Sequence, residues 1–107
     1  MSTITSHILD ISQGCPAAGV EIVLFVQRDD VWLELHRTTT NSDGRIAPCT
    51  GDPGHYKLRF ETRKYFDRQS ISTFYPFVEV AFGIGSEAHY HVPLLLSPWG
   101  YSTYRGS

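Results

Sequence analysis

The stretch on which the predicted fold depends runs from position 89 to position 107, His89-Tyr-His-Val-Pro-Leu-Leu-Leu-Ser-Pro-Trp-Gly-Tyr-Ser-Thr-Tyr-Arg-Gly-Ser107. Two histidines head an apolar run, Ser97-Pro98 marks a turn, and an aromatic segment follows. Two strand-forming runs on either side of a turn are typical of paired β-strands. Chain ends are usually polar and frayed. Because this one keeps a strand-like composition and carries an arginine beside a terminal carboxylate, we expect it to have a function.

Runs of the same kind, separated by turn-forming residues, fill the chain before position 89. The predicted strands are 3–11, 20–27, 31–38, 45–46 (ended by Pro48), 55–62, 77–83, 88–96 and 99–105, and the one predicted helix is 63–72. Seven to eight short strands without a βαβ rhythm predict an all-β fold, a two-sheet β-sandwich with one short helix, as a single domain over residues 1–107. The first and last strands are long and apolar for edge strands, which predicts association of copies through those edges.

Composition excludes several classes of function. Hydrophobic residues make up 41% and charged residues 19% of the 107 positions, as in an ordinary globular protein. The net charge of −2 is spread along the chain, so we expect neither nucleic acid nor a membrane as a partner. No apolar run approaches the roughly 20 residues of a membrane span, and the first residues do not resemble a secretory signal. Cys15 and Cys49 are the only cysteines, which predicts reduced thiols and a cytoplasmic location.

Three histidines on predicted strands are candidates for chemistry. His89 and His91 are two residues apart, so they share one face of their strand. Together with His7 they could form a tetrahedral zinc site with one open position. Alternatively, a neutral imidazole, with an ordinary pKa of about 6.5, can take a proton from water near neutral pH without a metal. A structural role, with solvated or backbone-bonded rings, is the third possibility.

Arg45, Arg105 and Ser107 are suited to holding an anionic or carbonyl-rich substrate. A guanidinium binds such groups through a planar fork and stabilises a developing oxyanion. Ser107 can donate from its hydroxyl and accept through the terminal carboxylate. Arg45 follows a predicted Asp43-Gly44 turn, where an arginine without a function is also common. The sequence contains no glycine-rich phosphate loop and no Gly-x-Ser-x-Gly motif.

Two segments of the sequence resemble the signatures of the transthyretin family. The first is His7-Ile-Leu-Asp10 with Gly14-Cys-Pro16-Ala17 and Val20, and the second is Tyr90-His-Val-Pro-Leu-Leu-Leu-Ser-Pro98 with Trp99-Gly-Tyr-Ser102. Both are long and gapped in fixed places, and the likeness covers essentially the whole chain. The resemblance implies a transthyretin-like β-sandwich and a homotetramer, a dimer of dimers, with active sites in the channel between the dimers.

Within that family the chain resembles the hydrolases, because the hormone carriers lack its histidines and its four terminal residues at the matching places. The resemblance implies opening of the ring amide of 5-hydroxyisourate, a urate oxidation product, to 2-oxo-4-hydroxy-4-carboxy-5-ureidoimidazoline. It implies no metal or organic cofactor. It also implies catalytic roles for His7, Arg45, His91 and Ser107, and substrate binding by Arg45, Tyr104, Arg105, Gly106 and Ser107. His89 lies outside the matching positions, and which histidine is the base stays open.

The alternative is a transthyretin-like carrier that holds a small aromatic ligand in its channel without catalysis. A carrier has no need of an arginine and a carboxylate at the end of the chain. It is therefore expected to keep binding its ligand when the last four residues are removed.

Overall fold

Nine strands and one helix form two sheets that pack face to face. The computed structural model describes every residue from 1 to 107. In chain order the elements are β1 (Ser2–Asp10), β2 (Cys15–Pro16), β3 (Glu21–Arg28), β4 (Val31–Thr39), β5 (Cys49–Gly51), β6 (Gly54–Phe60), α1 (Thr62–Asp67), β7 (Val78–Ile84), β8 (His89–Ser97) and β9 (Gly100–Thr103). The predicted two-sheet sandwich with one short helix is confirmed. Two short strands, β2 and β5, were not predicted, because two or three residues are too few for side-chain alternation to be recognised.

The first sheet has the strand order β2-β1-β8-β9, with β5 also paired to β1, and the second has the order β4-β3-β6-β7. Side chains from both sheets form one cluster of 20 buried residues between them. The strand β1 shows how the sequence produces this arrangement, because Ile4 and Ile8 are fully buried while Thr5 and His7 between them are only half-buried. The alternation of side chains along β1 therefore places one face in the core and His7 on the other.

The prediction that the first strand forms an edge was wrong. β1 runs parallel to β8 over eight residue pairs, from Thr3 beside His89 to Asp10 beside Leu96. Its other side is covered by β5 at one end, by β2 at the other, and by a single bridge between His7 and Arg45 in the middle. All other strand pairs are antiparallel. The parallel pairing places the histidines of β8 directly beside β1.

The predicted short strand at 45–46 was also wrong. Arg45 makes only the one bridge to His7, and the next strand, β5, begins after Pro48 rather than before it. The carbonyl oxygen of Arg45 accepts a hydrogen bond from the backbone N–H of Asn41, so Arg45 closes a turn instead of starting a ladder. Pro48 has no N–H to donate, which delays regular pairing until Cys49.

The helix is shorter than predicted, because it ends at Asp67. The backbone N–H groups of Gln69 and Ile71 both bond to the carbonyl of Phe66, and Ser70 adopts a positive φ of 58°. This is how a left-handed residue closes a helix. No helix of the chain is long and apolar enough to span a bilayer.

The last strand is shorter than predicted, because β9 ends at Thr103. Pairing with β8 stops at Leu94, opposite Thr103, and resumes at a single bridge between His91 and Gly106. Pro93 lies in this gap and has no N–H for the ladder, although its carbonyl accepts a bond from the Thr103 hydroxyl. Residues 104–107, which we call the tail, therefore run beside β8 with little regular pairing.

Candidate active site

The predicted histidines meet on the outer face of the first sheet. Thr5 of β1 lies directly beside His91 of β8, and Thr3 beside His89. Because side chains alternate along a strand, Thr5, His7, His89 and His91 all point away from the core. The parallel pairing of β1 with β8 brings His7 onto the same face as His89 and His91.

A threonine that the sequence did not single out connects two of these histidines. The Oγ1 atom of Thr5 lies 2.7 Å from Nε2 of His89 and 2.7 Å from Nδ1 of His91. The two rings are 6.2 Å apart between centroids. His89, which we had expected to lie outside the site, is therefore hydrogen-bonded into it. No motif indicated Thr5, because its role depends entirely on the register between β1 and β8.

Arg45 reaches this face from a turn that a glycine makes possible. Gly44 has a φ of +74°, and a Cβ atom built on it would collide with the carbonyl oxygen of Ile8 on β1. The backbone N–H of Ile8 bonds to the carbonyl of Gly44 at 2.8 Å, which holds the turn against β1. Arg45 takes part in none of the salt bridges of the chain. Its guanidinium is therefore free to bind an anion.

The surroundings of His91 favour its neutral form. Burial lowers the pKa of His91 below its ordinary value of 6.5, and the positive charges of Arg45, His89 and His7 lower it further. Its Nδ1 atom is bonded to Thr5, which leaves Nε2 without a partner in the chain. A neutral imidazole with a free nitrogen beside a guanidinium is suited to taking a proton from water.

The tail lies against His91 at Gly106. The backbone N–H of Gly106 bonds to the carbonyl of His91 at 2.8 Å. A Cβ atom on Gly106 would lie 2.5 Å from Cδ2 of the His91 ring, so only glycine fits at this position without movement. Ser107 follows directly and is exposed.

The Arg105 guanidinium lies against an aromatic ring. Its Cζ atom lies 4.8 Å from the centroid of the Tyr90 ring. Tyr90 is buried and points to the opposite side of β8 from His91. Beside this contact, a cavity of about 350 Å³ opens between β7 and β8, lined by residues 80–83, 90–92 and 103–105. Within one chain Arg105 and Tyr104 therefore border this cavity.

A zinc site within one chain is not supported by the positions of the candidate ligands. No three His, Cys, Asp or Glu side chains lie close enough together to hold a metal ion. The Nε2 atom of His89 and the Nδ1 atom of His91 bond to the same hydroxyl instead.

The two-sheet sandwich, with imidazoles and an unpaired guanidinium on one outer face, is transthyretin-like. Residues 4–106 match the family described as HIUase/Transthyretin family, and the chain belongs to it. The family and the fold that the two sequence signatures implied are confirmed.

Individual relatives extend this result. The chain is 46% identical over 111 residues to a probable 5-hydroxyisourate hydrolase of Caenorhabditis elegans, covering 99% of this chain and 82% of the relative. Its fold is similar to that of Klebsiella pneumoniae 5-hydroxyisourate hydrolase, with a TM-score of 0.85 at 40% identity, covering 100% of this chain and 94% of that one. It is also similar to sea bream transthyretin in complex with thyroxine, with a TM-score of 0.91 at 30% identity. The match covers 96% of this chain and 93% of the transthyretin chain. The fold alone therefore does not separate the two activities, whereas sequence identity favours the hydrolases.

Proposed function

We propose that this protein hydrolyses the ring amide of 5-hydroxyisourate to 2-oxo-4-hydroxy-4-carboxy-5-ureidoimidazoline in urate degradation. The observation that carries the proposal is the position of the half-buried His91 imidazole on the same outer face as the unpaired Arg45, where burial and the charge of Arg45 lower the pKa of His91. The 46% identity to a probable hydrolase of this substrate supports the choice of substrate.

His91 is the general base in this mechanism. The bond from Nδ1 to Thr5 orients the ring and leaves Nε2 free to take a proton from water as the water attacks the ring carbonyl. Protonated at Nε2, the same ring then supplies a proton to the leaving ring nitrogen. A base that is neutral at working pH is available to every substrate molecule that binds.

Arg45 and His7 stabilise the charge that develops on the substrate. The carbonyl oxygen becomes an oxyanion as water adds, and a fixed guanidinium stabilises that charge more than it stabilises the neutral carbonyl. The backbone bridge between His7 and Arg45 keeps the two side chains beside each other. We assign Arg45 to the substrate and its oxyanion and His7 to electrostatic support.

The tail closes the site over the substrate. Gly106 lies against His91, so Ser107 is placed next to the reacting ring, where its hydroxyl can bind the substrate. Tyr104 and Arg105 anchor the tail beside the cavity, Arg105 through its contact with Tyr90. The tail thereby orders the substrate and limits access of bulk water.

The working assembly in this proposal is a homotetramer, a dimer of dimers with sites in the channel between dimers. Exposed aromatic side chains support association: Trp99 is 68% and Phe74 is 67% exposed, and their rings lie 6.1 Å apart. Phe74 also contacts Tyr75, which contacts Tyr101, so the four rings form one patch. Apolar surface of this kind is usually covered by another protein surface.

Because both cysteines are free thiols, we place the protein in the cytoplasm.

The decay of freshly generated 5-hydroxyisourate, followed by ultraviolet absorbance, tests this function. The full chain is expected to accelerate the decay, and a variant lacking residues 104–107 is expected to lose the acceleration while keeping its oligomeric state. His55→Gln, on an exposed site of the second sheet, serves as the control with unchanged activity. If neither protein accelerates the decay, the proposal is wrong and a carrier is the better account. In that case a small aromatic ligand would bind with or without the tail.

The proposed mechanism uses no metal and no organic cofactor. We therefore expect activity to be unchanged after dialysis against EDTA, because the imidazole of His91 rather than a metal ion activates the water. The measurement is the rate before and after dialysis, and again after addition of zinc. Activity lost with the chelator and restored by zinc would contradict the metal-free mechanism.

A further inference from the structure

The Thr5 hydroxyl joins His91 to a second histidine for which the proposed mechanism has no role. Both distances from Oγ1, to Nδ1 of His91 and to Nε2 of His89, are 2.7 Å. His89 is exposed and His91 is half-buried. The three groups therefore form a continuous hydrogen-bonded chain from the proposed base to solvent.

When a hydroxyl lies between two imidazoles, the protons of the two hydrogen bonds can be arranged in two ways. In one, Nδ1–H of His91 donates to Thr5 and the Thr5 hydroxyl donates to Nε2 of His89. In the other, Nε2–H of His89 donates to Thr5 and the Thr5 hydroxyl donates to Nδ1 of His91. The two arrangements differ by the shift of two protons along the same chain, and no heavy atom has to move between them.

A positive charge is more stable at the outer end of this chain. An imidazolium at His91 would be partly withdrawn from water and would lie near the positive charge of Arg45 and near His7. At His89 the same charge is exposed to solvent. Because both ends are imidazoles, the transfer does not have to overcome a chemical mismatch of the kind that separates a carboxylate from an imidazole.

We propose that Thr5 and His89 form a proton relay with His91, in which His89 holds the positive charge between the base step and the acid step of the reaction. This proposal rests on the proposed hydrolysis with His91 as base. It assigns a positioning and transfer role to two residues, neither of which has to touch the substrate.

The steps balance. Nε2 of His91 takes a proton from water as the bond between the water oxygen and the ring carbonyl carbon forms. The Nδ1 proton of His91 passes to Thr5 while the Thr5 hydroxyl proton passes to Nε2 of His89. When the carbon–nitrogen bond breaks, Nε2–H of His91 protonates the leaving nitrogen and the proton on His89 returns through Thr5 to Nδ1. The remaining proton of the water leaves when the new carboxylic acid ionises, and the protein ends the cycle as it began.

Three variants and added imidazole test the relay. Thr5→Val and His89→Ala are each expected to lower kcat by about 100-fold, the lower end of what a positioned proton-transfer group contributes. Thr5→Ser keeps the hydroxyl and is expected to retain most of the activity. Free imidazole is expected to restore His89→Ala, because it can accept the proton from the Thr5 hydroxyl in the space left by the ring. It is expected not to restore Thr5→Val, which lacks that hydroxyl.

The controls separate the relay from a structural role and from the proposed function. Decay without protein at each imidazole concentration is subtracted, and His55→Ala, which removes an exposed histidine from the second sheet, reports any general effect of imidazole. If His89→Ala keeps the full rate, or if imidazole fails to restore it, the relay is wrong although the wild-type protein is active. If the wild-type protein does not accelerate the decay, the proposed function itself is wrong. Because His89 is exposed, its substitution tests the relay even if Thr5→Val folds poorly.

Discussion

His91 is the residue whose immediate surroundings determine what the site can do. Its ring is half-buried, bonded to Thr5 at Nδ1 and close to the charge of Arg45. Burial and the nearby charge of Arg45 lower the pKa of His91, and the bond at Nδ1 leaves Nε2 without a partner in the chain. A base whose neutral form is favoured by its surroundings remains active at a lower pH than a solvated histidine would.

The pH dependence of activity follows from this shift. Burial, then Arg45, His89 and His7, lower the pKa of His91 below 6.5. Because the base must be neutral, kcat/KM is expected to be constant near neutral pH and to fall on acidification, with a midpoint below 6.5. The measurement is initial rates across the acidic range at low substrate concentration. A midpoint at or above 6.5 would show that another group limits the reaction.

Gly106 is the residue at which the tail is most sensitive to change. Because a Cβ atom there would lie 2.5 Å from Cδ2 of His91, Gly106→Ala is expected to displace the tail or the ring. We expect kcat/KM to fall by about 10-fold or more, since small displacements of positioning groups cost this much. Gly100→Ala is the matched control, because its Cβ atom would have no neighbour closer than 3.8 Å. Equal activity in the two variants would mean that the tail does not act at His91.

At the scale of elements, the turn between β4 and β5 brings Arg45 to β1. Asn41 holds the turn through its side-chain oxygen, which accepts bonds from the backbone N–H groups of Asp43 and Arg45. Gly44 allows the turn to approach β1 closely enough for the His7–Arg45 bridge. The position of Arg45, to which we assign a catalytic role, therefore depends on a contact between two backbones.

Two glycines with similar φ values allow the cost of backbone strain to be distinguished from the cost of losing the contact between the turn and β1. Gly44 has a φ of +74° with the Ile8 carbonyl in the way of a Cβ atom, and Gly14 has a φ of +68° with nothing within 4 Å. Gly14→Ala is expected to cost only the strain of the left-handed backbone, about 1 kcal/mol in the free energy of unfolding. Gly44→Ala is expected to cost more and also to raise KM, because Arg45 is displaced. Denaturant unfolding and steady-state kinetics of both variants make the comparison, and identical results would contradict it.

A second connection between elements joins the end of β1 to the helix. Asp10 is fully buried and accepts hydrogen bonds from Ser12, Gln13 and the hydroxyl of Tyr65 on α1. Burial by itself would raise the pKa of Asp10, but the bonds from Ser12, Tyr65 and Gln13 outweigh it and hold the pKa below its ordinary value. The same hydrogen bond also affects the pKa of Tyr65. Burial and the bond to Asp10 raise that pKa to about 12.

Removing the Tyr65 hydroxyl tests this connection. Tyr65→Phe is expected to lower the free energy of unfolding by about 1.5–3 kcal/mol, as for other hydrogen bonds to charged groups. The pKa of Asp10 is lowered in the folded state, so its stabilising contribution is present above the unfolded pKa, near 4, and is lost as the pH falls through the folded value. Asp10→Asn is therefore expected to remove part of the acid sensitivity of folding. Tyr101→Phe, on an exposed side chain, is the control, and an equal loss there would contradict the argument.

At the scale of the whole molecule, the site lies on an open face, and one 12.1 kDa chain does not enclose it. A second copy packed across the face would enclose the site in a channel between the two copies. The similar overlap with a hydrolase and with a thyroxine-bound transthyretin shows that this architecture suits either task. The side chains on the face, and not the sandwich itself, distinguish the two.

Native mass spectrometry tests the proposed assembly. We expect four copies of the chain, and we expect the activity per chain to fall when the protein is diluted until the assembly dissociates. A monomer with full activity at all concentrations would contradict the assembly while leaving the chemistry of His91 intact.

The sequence by itself determined the strands and their faces. The strand-forming runs placed β1 and β3 to within one residue at each end. The gap between the predicted strands 20–27 and 31–38 holds the β3–β4 hairpin turn, where Asp29 and Asp30 adopt φ values of 52° and 62°. It also indicated His7, Arg45 and His91, and the structure brings these three together. Such features are local, because alternation and turn chemistry depend on residues close to one another in the chain.

Only the tertiary structure decided which strands became neighbours and in what register. The parallel pairing of β1 with β8 joins residues more than 80 positions apart, and it alone places Thr5 between His89 and His91. It also made β1 an interior strand where the sequence predicted an edge. Strand partners are selected by the free energy of the whole sandwich, since many pairings satisfy the same alternation locally. The sequence therefore indicated His7, Arg45 and His91 as candidates, whereas Thr5 and the hydrogen bonds that connect it to His89 and His91 were visible only in the structure.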